Sequence, residues 1–192
     1  MEAHRGTGWL MAIDLQPAFY HPESPWFTPG LAEIADRIAA LAPVFGEQVL
    51  LTRFVPPPVP FGSWGRYYEK WPFAHDPSSD WLWSLDRRWA SCRSVASHRF
   101  SKWLPEVSAL FGSNPTVVLC GVSTDCCVLA TALAAVDDGA HVRLVTDACA
   151  AKGADVHERA LDIMAARSPQ LTLVTVAEEL ERLKGQRWEQ PA

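Results

Sequence analysis

The feature that most constrains the fold of this chain is an alternation of short apolar runs with longer segments of helical spacing. Strand and helix in alternation predict a mostly parallel sheet, joined by right-handed crossovers and covered by helices on both faces. We therefore expect a three-layer, doubly wound α/β fold. The apolar runs cover residues 9–13, 48–52, 116–120, 142–146 and 171–174, with a weak run at 95–96. The helical segments cover residues 31–45, 103–111, 125–138, 155–166 and 177–183.

The chain length of 192 residues suits one domain, which we expect to cover residues 1–192. The alternation is interrupted by an insertion at about 54–91, which carries a proline run and five of the nine tryptophans. Loops this long in compact domains are usually functional covers or disordered, and the aromatic content argues against disorder. Two interpretations stay open, since these rings could line a pocket or pack a subunit contact.

The charge balance narrows the class of partner. Lys and Arg total 17 against 22 Asp and Glu, so the chain has no basic field that would attract nucleic acid or an anionic membrane. No apolar run reaches the roughly 18 residues that span a bilayer, and residues 1–5 lack the layout of a signal peptide. We expect a small-molecule partner and a cytoplasmic location.

The cysteine and histidine patterns give no sign of a metal site or a cofactor. The five cysteines form no Cys-x-x-Cys pair, which disfavours a disulfide framework and a zinc knuckle. The six histidines show no ligand spacing, so we expect surface or hydrogen-bonding roles for them. They are His4, His21, His75, His98, His141 and His157.

Two polar sites follow apolar runs at positions where α/β sheets bind ligands, outside the carboxyl ends of their strands. Asp14 ends the first run, and the segment 121–128 (Gly-Val-Ser-Thr-Asp-Cys-Cys-Val) leads from the run at 116–120 into a helix. A cysteine in the first turn of a helix has its pKa lowered by unpaired amides and the helix dipole, and it can attack a carbonyl. Asp14 could carry the thiol proton to a leaving amine. Position alone leaves a buried structural cysteine and a turn-capping aspartate equally open.

Four segments of the chain resemble the isochorismatase-like cysteine hydrolase superfamily, and the likeness runs from about residue 9 to 180. They are residues 13–16 (Ile-Asp-Leu-Gln), 51–53 (Leu-Thr-Arg), 121–128 and 145–148 (Val-Thr-Asp-Ala). The string Gly-Val-x-Thr-Asp-x-Cys-Val in residues 121–128 is the most specific part. Members of the superfamily include nicotinamidases, N-carbamoylsarcosine amidases and isochorismatases, which cleave a vinyl ether without a cysteine.

The resemblance implies a role for individual residues. It makes Cys127 the nucleophile and Asp14 the base, with an oxyanion hole formed by the backbone N–H groups of Ser123 and Cys127. It also implies a cis peptide between Val122 and Ser123. Phe19 matches an aromatic residue that often walls the family pocket, although it could equally be a core residue.

The chain departs from the family pattern at the catalytic lysine. That lysine stands three positions before an aromatic-Ser pair, where this chain has Ser97. A serine hydroxyl cannot supply the positive charge that holds the carboxylate and thiol in productive charge states. We expect either an altered mechanism or impaired hydrolysis, unless a neighbouring cation substitutes. The neighbouring cations are His98, Arg99 and Lys102.

A second departure concerns metal binding and the pocket wall. Nicotinamidase-like members carry an Asp-x-His group after the second strand, whereas here Thr52 leads into Arg53, so we expect no zinc. Residues 62–68 resemble a stretch near the active site of metal-free cysteine hydrolases. Within it, Trp64 could stack on a planar or cationic substrate and Arg66 could pair with a carboxylate, with Tyr68 beside them. Alternatively, the rings of this segment only pack it onto the sheet.

These observations predict a metal-free cysteine amidohydrolase that cleaves a carbon–nitrogen bond of a small molecule through a thioester on Cys127. One alternative is a ligand-binding protein that has the pocket but no working hydrolytic residues, because Ser97 replaces the lysine. Another is an enzyme with non-hydrolytic chemistry that uses Asp14, with Cys127 only lining the pocket. The resemblance also implies a homodimer or larger homo-oligomer.

Overall fold

A six-stranded parallel sheet forms the centre of the molecule. The computed structural model describes residues 8–188, with side chains described through residue 185, so the expectations for residues 1–5 and His4 lie outside the described residues. The strand order is β3-β2-β1-β4-β5-β6, and each adjacent pair runs parallel. The predicted doubly wound α/β fold is confirmed. The strands are β1 (Trp9–Ile13), β2 (Val49–Phe54), β3 (Ser94–Ser97), β4 (Thr116–Val122), β5 (His141–Ala150) and β6 (Leu171–Val174).

Helices pack around the sheet, and the five predicted from sequence spacing lie close to their expected positions. The last helix continues five residues beyond the predicted segment 177–183. The helix predicted at 125–138 begins four residues late, because residues Thr124–Val128 form a π-helical turn before it. No helix within residues 8–188 is long and apolar enough to cross a membrane. The helices are α1 (Pro17–Tyr20), α2 (Leu31–Phe45), α3 (Ser63–Lys70), α4 (Pro105–Phe111), α5 (Leu129–Asp137), α6 (Ala154–Ala165) and α7 (Val176–Trp188).

Strands β1 and β4 lie at the centre of the sheet and are almost fully buried. Their apolar, valine-rich sequences suit strands that are covered on both faces. The strand order reverses between them, because the chain moves outward from β1 to β2 and β3 and then returns to place β4 on the other side of β1. Such a reversal leaves a crevice at the carboxyl ends of the two strands, where α/β proteins bind ligands.

The close approach of β1 and β4 depends on a glycine. Gly121 has φ +112°, and a Cβ atom there would lie 2.6 Å from the backbone nitrogen of Ile13 and closer still to its carbonyl oxygen. Gly121 pairs with Ile13 in the sheet register. Only a residue without a side chain allows the two strands to meet at this point.

The segment after β2 is built from short helices rather than extended loop. It contains α3 and three 3₁₀ helices, Pro72–His75, Pro77–Trp83 and Arg87–Trp89. Its aromatic residues pack mainly on one another and on Trp26, which contacts the ring of Phe54 at the end of β2. Trp26 therefore joins the chain that follows β1 to the inserted segment. Its ring partners are Phe19, Phe54, Tyr67, Trp71, Phe73 and Trp83.

Candidate active site

Asp14 lies at the carboxyl end of β1 and is fully buried. Its backbone has φ 55°, in the left-handed region that turns the chain sharply after the strand. Thr52 of β2 fixes the side chain, because its hydroxyl donates to Asp14 Oδ1 at 2.7 Å and accepts from the Asp14 amide at 3.2 Å. The carboxylate is therefore held by hydrogen bonds to the adjacent strand.

Cys127 lies in the π-helical turn that follows β4, and only 4% of it is exposed. The turn closes on Ser123, whose carbonyl oxygen accepts from the amides of Cys126 at 3.0 Å and Val128 at 3.1 Å. The peptide between Val122 and Ser123 is cis, which confirms that expectation. Asp14 and Cys127 thus follow two hydrogen-bonded strands at the same edge of the sheet.

The buried cation of the site is Lys102, in the loop between β3 and α4. Its Nζ lies 3.1 Å from Asp14 Oδ2 and 3.9 Å from Cys127 Sγ. It also donates to the carbonyl oxygen of Arg99 at 2.6 Å and lies 4.9 Å from the centroid of the Phe54 ring. One ammonium group therefore contacts both the candidate base and the candidate nucleophile.

Of the outcomes that the sequence left open for Ser97, the structure has the one in which a neighbouring cation, Lys102, contacts Asp14 and Cys127. Ser97 ends β3, and its hydroxyl accepts a hydrogen bond from the amide of Arg99 at 3.0 Å, which is a local turn contact. Lys102 comes five positions later in the chain, and its long side chain reaches back to Asp14. Of the three cations named from the sequence, Lys102 alone is followed by two apolar residues, Trp103 and Leu104, and that is the signal for a buried lysine.

The protonation states differ from those expected from a helix start alone. A hydrogen bond with Cys126 and burial raise the pKa of the Cys127 thiol well above 9.0, while the Lys102 ammonium lowers it. The hydrogen bond between the two cysteines lowers the pKa of Cys126. Burial opposes the charged form of Lys102, but Asp14 and Cys127 outweigh it, so the pKa of Lys102 is raised. The predicted low pKa of Cys127 is therefore corrected, because the hydrogen bond with Cys126 and burial of the thiol outweigh the Lys102 ammonium.

A cavity of about 300 Å³ opens onto Cys127. Aromatic rings from the chain after β1, from the inserted segment and from Phe100 form much of its wall, and its polar lining residues include Thr28, Ser123, Asp125 and Lys152. Burial raises the pKa of Tyr67, so this wall residue stays a neutral phenol that can donate a hydrogen bond. The lining residues are Phe19, Pro25, Trp26, Thr28, Phe54, Tyr67, Trp71, Phe100, Ser123, Asp125, Cys126, Cys127 and Lys152.

The structure brings some of the predicted binding residues to this cavity and not others. Phe19 and Ser123 line it, as expected, but Trp64, Tyr68 and Arg66 are not among its lining residues. Trp64 packs against Phe100 and the tyrosines of α3, Tyr68 is buried against His75, and Arg66 is exposed. The alternative that these rings pack the segment onto the sheet is the one that the structure supports.

The aromatic wall residues that sequence reasoning missed are Trp26, Phe54, Tyr67, Trp71 and Phe100. Trp26 follows a short helix that the spacing did not predict, and Tyr67 lies one position from the predicted Tyr68. Since adjacent positions on a helix differ by about 100°, a shift of one residue exchanges a buried ring for one that faces the cavity. No sequence signal identified which ring of α3 faces inward.

Within the described part of the chain, no group of three or more His, Cys, Asp and Glu side chains could hold a metal ion. His157, in the adjoining helix α6, shares a 2.8 Å hydrogen bond with the hydroxyl of Thr124. Both residues support the turn that carries Cys127.

Comparison with solved structures shows the same fold in known hydrolases. A cysteine hydrolase from Pseudomonas syringae pv. phaseolicola 1448A superposes with a TM-score of 0.79, at 19% identity over 93% of each chain. A pyrazinamidase of Pyrococcus horikoshii, solved in complex with zinc, gives a TM-score of 0.65, at 22% identity over 88% of this chain and 99% of its own.

Sequence comparison identifies the family. Isochorismatase domain-containing protein 2 of Xenopus laevis is 41% identical over 56 residues, a match that covers 28% of this chain and 27% of that relative. The family model of the isochorismatase domain matches residues 9–178, which include every strand of the sheet. The chain therefore belongs to the isochorismatase-like hydrolase family.

Proposed function

We propose that the protein is a cysteine amidohydrolase that cleaves the carbon–nitrogen bond of a small amide through a thioester on Cys127. The observation that carries this proposal is the contact of one buried ammonium, Lys102 Nζ, with both Asp14 Oδ2 at 3.1 Å and Cys127 Sγ at 3.9 Å. A base, a nucleophile and a cation that stabilises the charge passing between them are the groups that acyl transfer to a thiol requires.

Acylation starts from a neutral thiol, consistent with the raised pKa of Cys127. Asp14 accepts the thiol proton as Cys127 Sγ forms a bond to the amide carbon. The carbonyl oxygen becomes an oxyanion, and we assign its stabilisation to the backbone N–H groups of Ser123 and Cys127. The carbon–nitrogen bond then breaks, and the amine leaves with the proton that Asp14 held.

Deacylation uses the same groups in reverse. A water molecule gives its proton to Asp14 and attacks the thioester carbon, and the carbon–sulfur bond breaks to release a carboxylic acid. The proton returns from Asp14 to the sulfur, which regenerates the neutral thiol. Throughout the cycle the Lys102 ammonium offsets the negative charge as it moves between carboxylate, sulfur and oxyanion.

The cavity supports a small substrate. A volume of about 300 Å³ lies at the lower end for ligand pockets, and apolar walls with few polar groups are typical of such sites. The ligand-binding alternative rested on a missing cation, and the Lys102 ammonium can fill that role. No metal takes part in this proposal, since the amides that follow β4 are assigned the role of polarising the carbonyl.

The experiment is incubation of the purified protein with a panel of small amides, followed by intact-mass and peptide mass spectrometry. We expect turnover and an acyl adduct on Cys127, with both lost in Cys127→Ala. Cys126→Ala is the matched control, because it removes the neighbouring thiol and should still form the adduct. Turnover that survives in Cys127→Ala but not in Asp14→Asn would select the non-hydrolytic alternative, and binding without turnover would select the ligand-binding one.

A further inference from the structure

The position of Lys102 is unusual for a residue that must be placed accurately. It lies in the loop 98–104, outside any helix or strand, and β3 before it is an edge strand of the sheet. Two of its hydrogen bonds are local. Lys102 Nζ donates to the carbonyl of Arg99, and the backbone carbonyl of Lys102 accepts from the amide of Leu104 at 3.0 Å. Contacts of this kind shape the loop but do not fix it against Cys127.

The hydroxyl of Thr131 bridges the backbone of this loop and the backbone of the turn that carries the nucleophile. Thr131 lies in the first turn of α5 and is 1% exposed. Its Oγ1 accepts from the backbone amide of Lys102 at 2.9 Å and donates to the backbone carbonyl of Cys127 at 2.6 Å. A hydroxyl has one proton to donate and lone pairs to accept, so both bonds form at once.

We infer that Thr131 is a positioning residue, whose hydroxyl sets the distance between the Lys102 ammonium and the Cys127 sulfur. The inference rests on the proposed function for its catalytic consequence, but the geometry that it describes does not. Thr131 is not a lining residue of the cavity, and its hydroxyl bonds to the backbone of Lys102 and of Cys127, so it acts through these two residues.

A purely helical explanation accounts for only half of this arrangement. Threonine in a helix often donates to the carbonyl four residues earlier, which is the relation of Thr131 to Cys127. This helical preference does not explain the second hydrogen bond, which comes from the amide of Lys102, 29 positions away in the chain. Loss of the hydroxyl would leave the buried amide of Lys102 without this partner, and the loop would have to move to hydrate it.

The consequence is a change in the charge that faces the nucleophile. The Lys102 ammonium lowers the pKa of the Cys127 thiol, against burial and the nearby carboxylate. If the loop shifts and the ammonium moves away, the pKa of Cys127 rises and less thiolate forms at a given pH. A small displacement of a catalytic group can reduce a rate by about 10²-fold.

The test compares Thr131→Val, which keeps the side-chain shape without the hydroxyl, with Thr131→Ser, which keeps the hydroxyl. We expect kcat for an accepted amide to fall by roughly 10-fold to 10²-fold in Thr131→Val, with KM changed by less than about threefold. Thr131→Ser should stay within about threefold of the parent in both constants. A fall in Thr131→Ser equal to that in Thr131→Val would contradict the inference, because the hydroxyl would then be irrelevant.

The second readout is the pH dependence of Cys127 alkylation by iodoacetamide, measured in the Cys126→Ala background so that one thiol of the pair reports. We expect the profile of Thr131→Val to move to higher pH, with an alkylation rate at pH 8 lower by about tenfold. Thr146→Val is the matched control, because that hydroxyl donates to the carbonyl of Val174, in β6, away from the site. An unshifted profile in Thr131→Val, or an equal shift in Thr146→Val, would overturn the inference.

A replacement variant and the substrate-free alkylation assay keep the test decisive. If Thr131→Val does not fold, as judged by circular dichroism, Thr131→Ala removes the same hydroxyl and is compared with Thr131→Ser in the same way. Alkylation needs no substrate, so a shifted profile supports the positioning role even if the parent protein hydrolyses no amide. Absence of turnover in the parent protein would then count against the proposed function alone.

Discussion

The two halves of the cavity are built in different ways. Its floor lies at the ends of β1 and β4, which are joined by main-chain hydrogen bonds in a fixed register. Cys127 lines the cavity there, whereas Asp14 is fully buried and does not. Its wall consists of aromatic rings from short helices, which hold one another by side-chain contacts around Trp26. The sheet register fixes which residues lie in the floor, whereas most rings of the wall come from segments outside the sheet. We therefore expect substitutions in the floor to be far more damaging than substitutions in the wall.

Lys102 belongs to neither half, and it provides the largest expected effect. We expect Lys102→Met to lower kcat/KM by roughly 10³-fold or more and to lower the free energy of unfolding by about 3–5 kcal/mol, because Asp14 is left as an unpaired buried charge. Ser97→Ala, the matched control from the same stretch of chain, should change either quantity little. Kinetics and urea unfolding measure the two effects.

The double variant Asp14→Asn with Lys102→Met makes this prediction sharper. It should recover much of the lost stability, since no charge remains buried, and it should stay inactive because it lacks both the base and the cation. If the single variant Lys102→Met is as stable as the parent protein, the ion pair with Lys102 does not stabilise the buried Asp14 carboxylate.

The next prediction compares two glycines with positive φ, one in the floor and one in the inserted segment. Gly121→Ala should lower the free energy of unfolding by about 4 kcal/mol or more, because the new methyl group would collide with the backbone of Ile13. Gly62→Ala meets nothing within 4 Å and should cost only about 1–2 kcal/mol, the backbone strain at φ 56°. Thermal or urea unfolding measures both, and equal losses would contradict the proposed difference between floor and wall.

A smaller effect is expected at the wall, where two tryptophans can be compared. Trp26→Leu should raise KM roughly tenfold and lower stability by about 2 kcal/mol, because Trp26 both lines the cavity and joins the segments of the wall. Trp64→Leu should affect stability by a similar amount but leave KM nearly unchanged, since Trp64 is not a lining residue. A raised KM in Trp64→Leu but not in Trp26→Leu would instead support the sequence-based prediction that Trp64 stacks on the substrate.

The smallest predicted effect tests how well the sheet excludes water beside Gly121. Cys149 pairs with Gly121 in the sheet, and burial raises the pKa of its thiol to about 12. A folded-state pKa above the unfolded value near 8.5 means that its contribution is fully present below that pH and is lost as the pH rises toward 12. Between about pH 9 and pH 10.5, stability should fall less steeply in Cys149→Ala, by up to about 1.4 kcal/mol per pH unit.

The control for this measurement is Val142→Ala, a substitution on the same strand that removes no titrating group. It should lower stability by a similar amount at each pH, so that its slope matches that of the parent protein. If the free energy of unfolding falls with pH as steeply in Cys149→Ala as in Val142→Ala and the parent protein, water reaches the Cys149 thiol.

Sequence reasoning predicted the fold and the floor well because both depend on local patterns. The apolar runs located both ends of every strand to within about two residues, except that β5 continues four residues beyond the run at 142–146. The turn that holds Cys127 follows the run at 116–120, as the sequence predicts. The same reasoning expected Trp64, Tyr68 and Arg66 in the pocket, where the structure has Trp26, Tyr67 and Trp71. An inserted segment without a regular sheet register gives no periodic signal for which ring faces inward.

By itself, the sequence determined an α/β chain with a carboxylate and a thiol at neighbouring strand ends, since apolar periodicity and parallel pairing suffice to bring such positions together. Only the tertiary structure decided which cation completes the site. A lysine side chain spans several ångströms from its backbone, so a loop residue five positions from Ser97 reaches Asp14 once the loop has folded. The path of that loop depends on contacts such as the Thr131 hydroxyl, which join residues far apart in the chain and leave no trace in local sequence spacing.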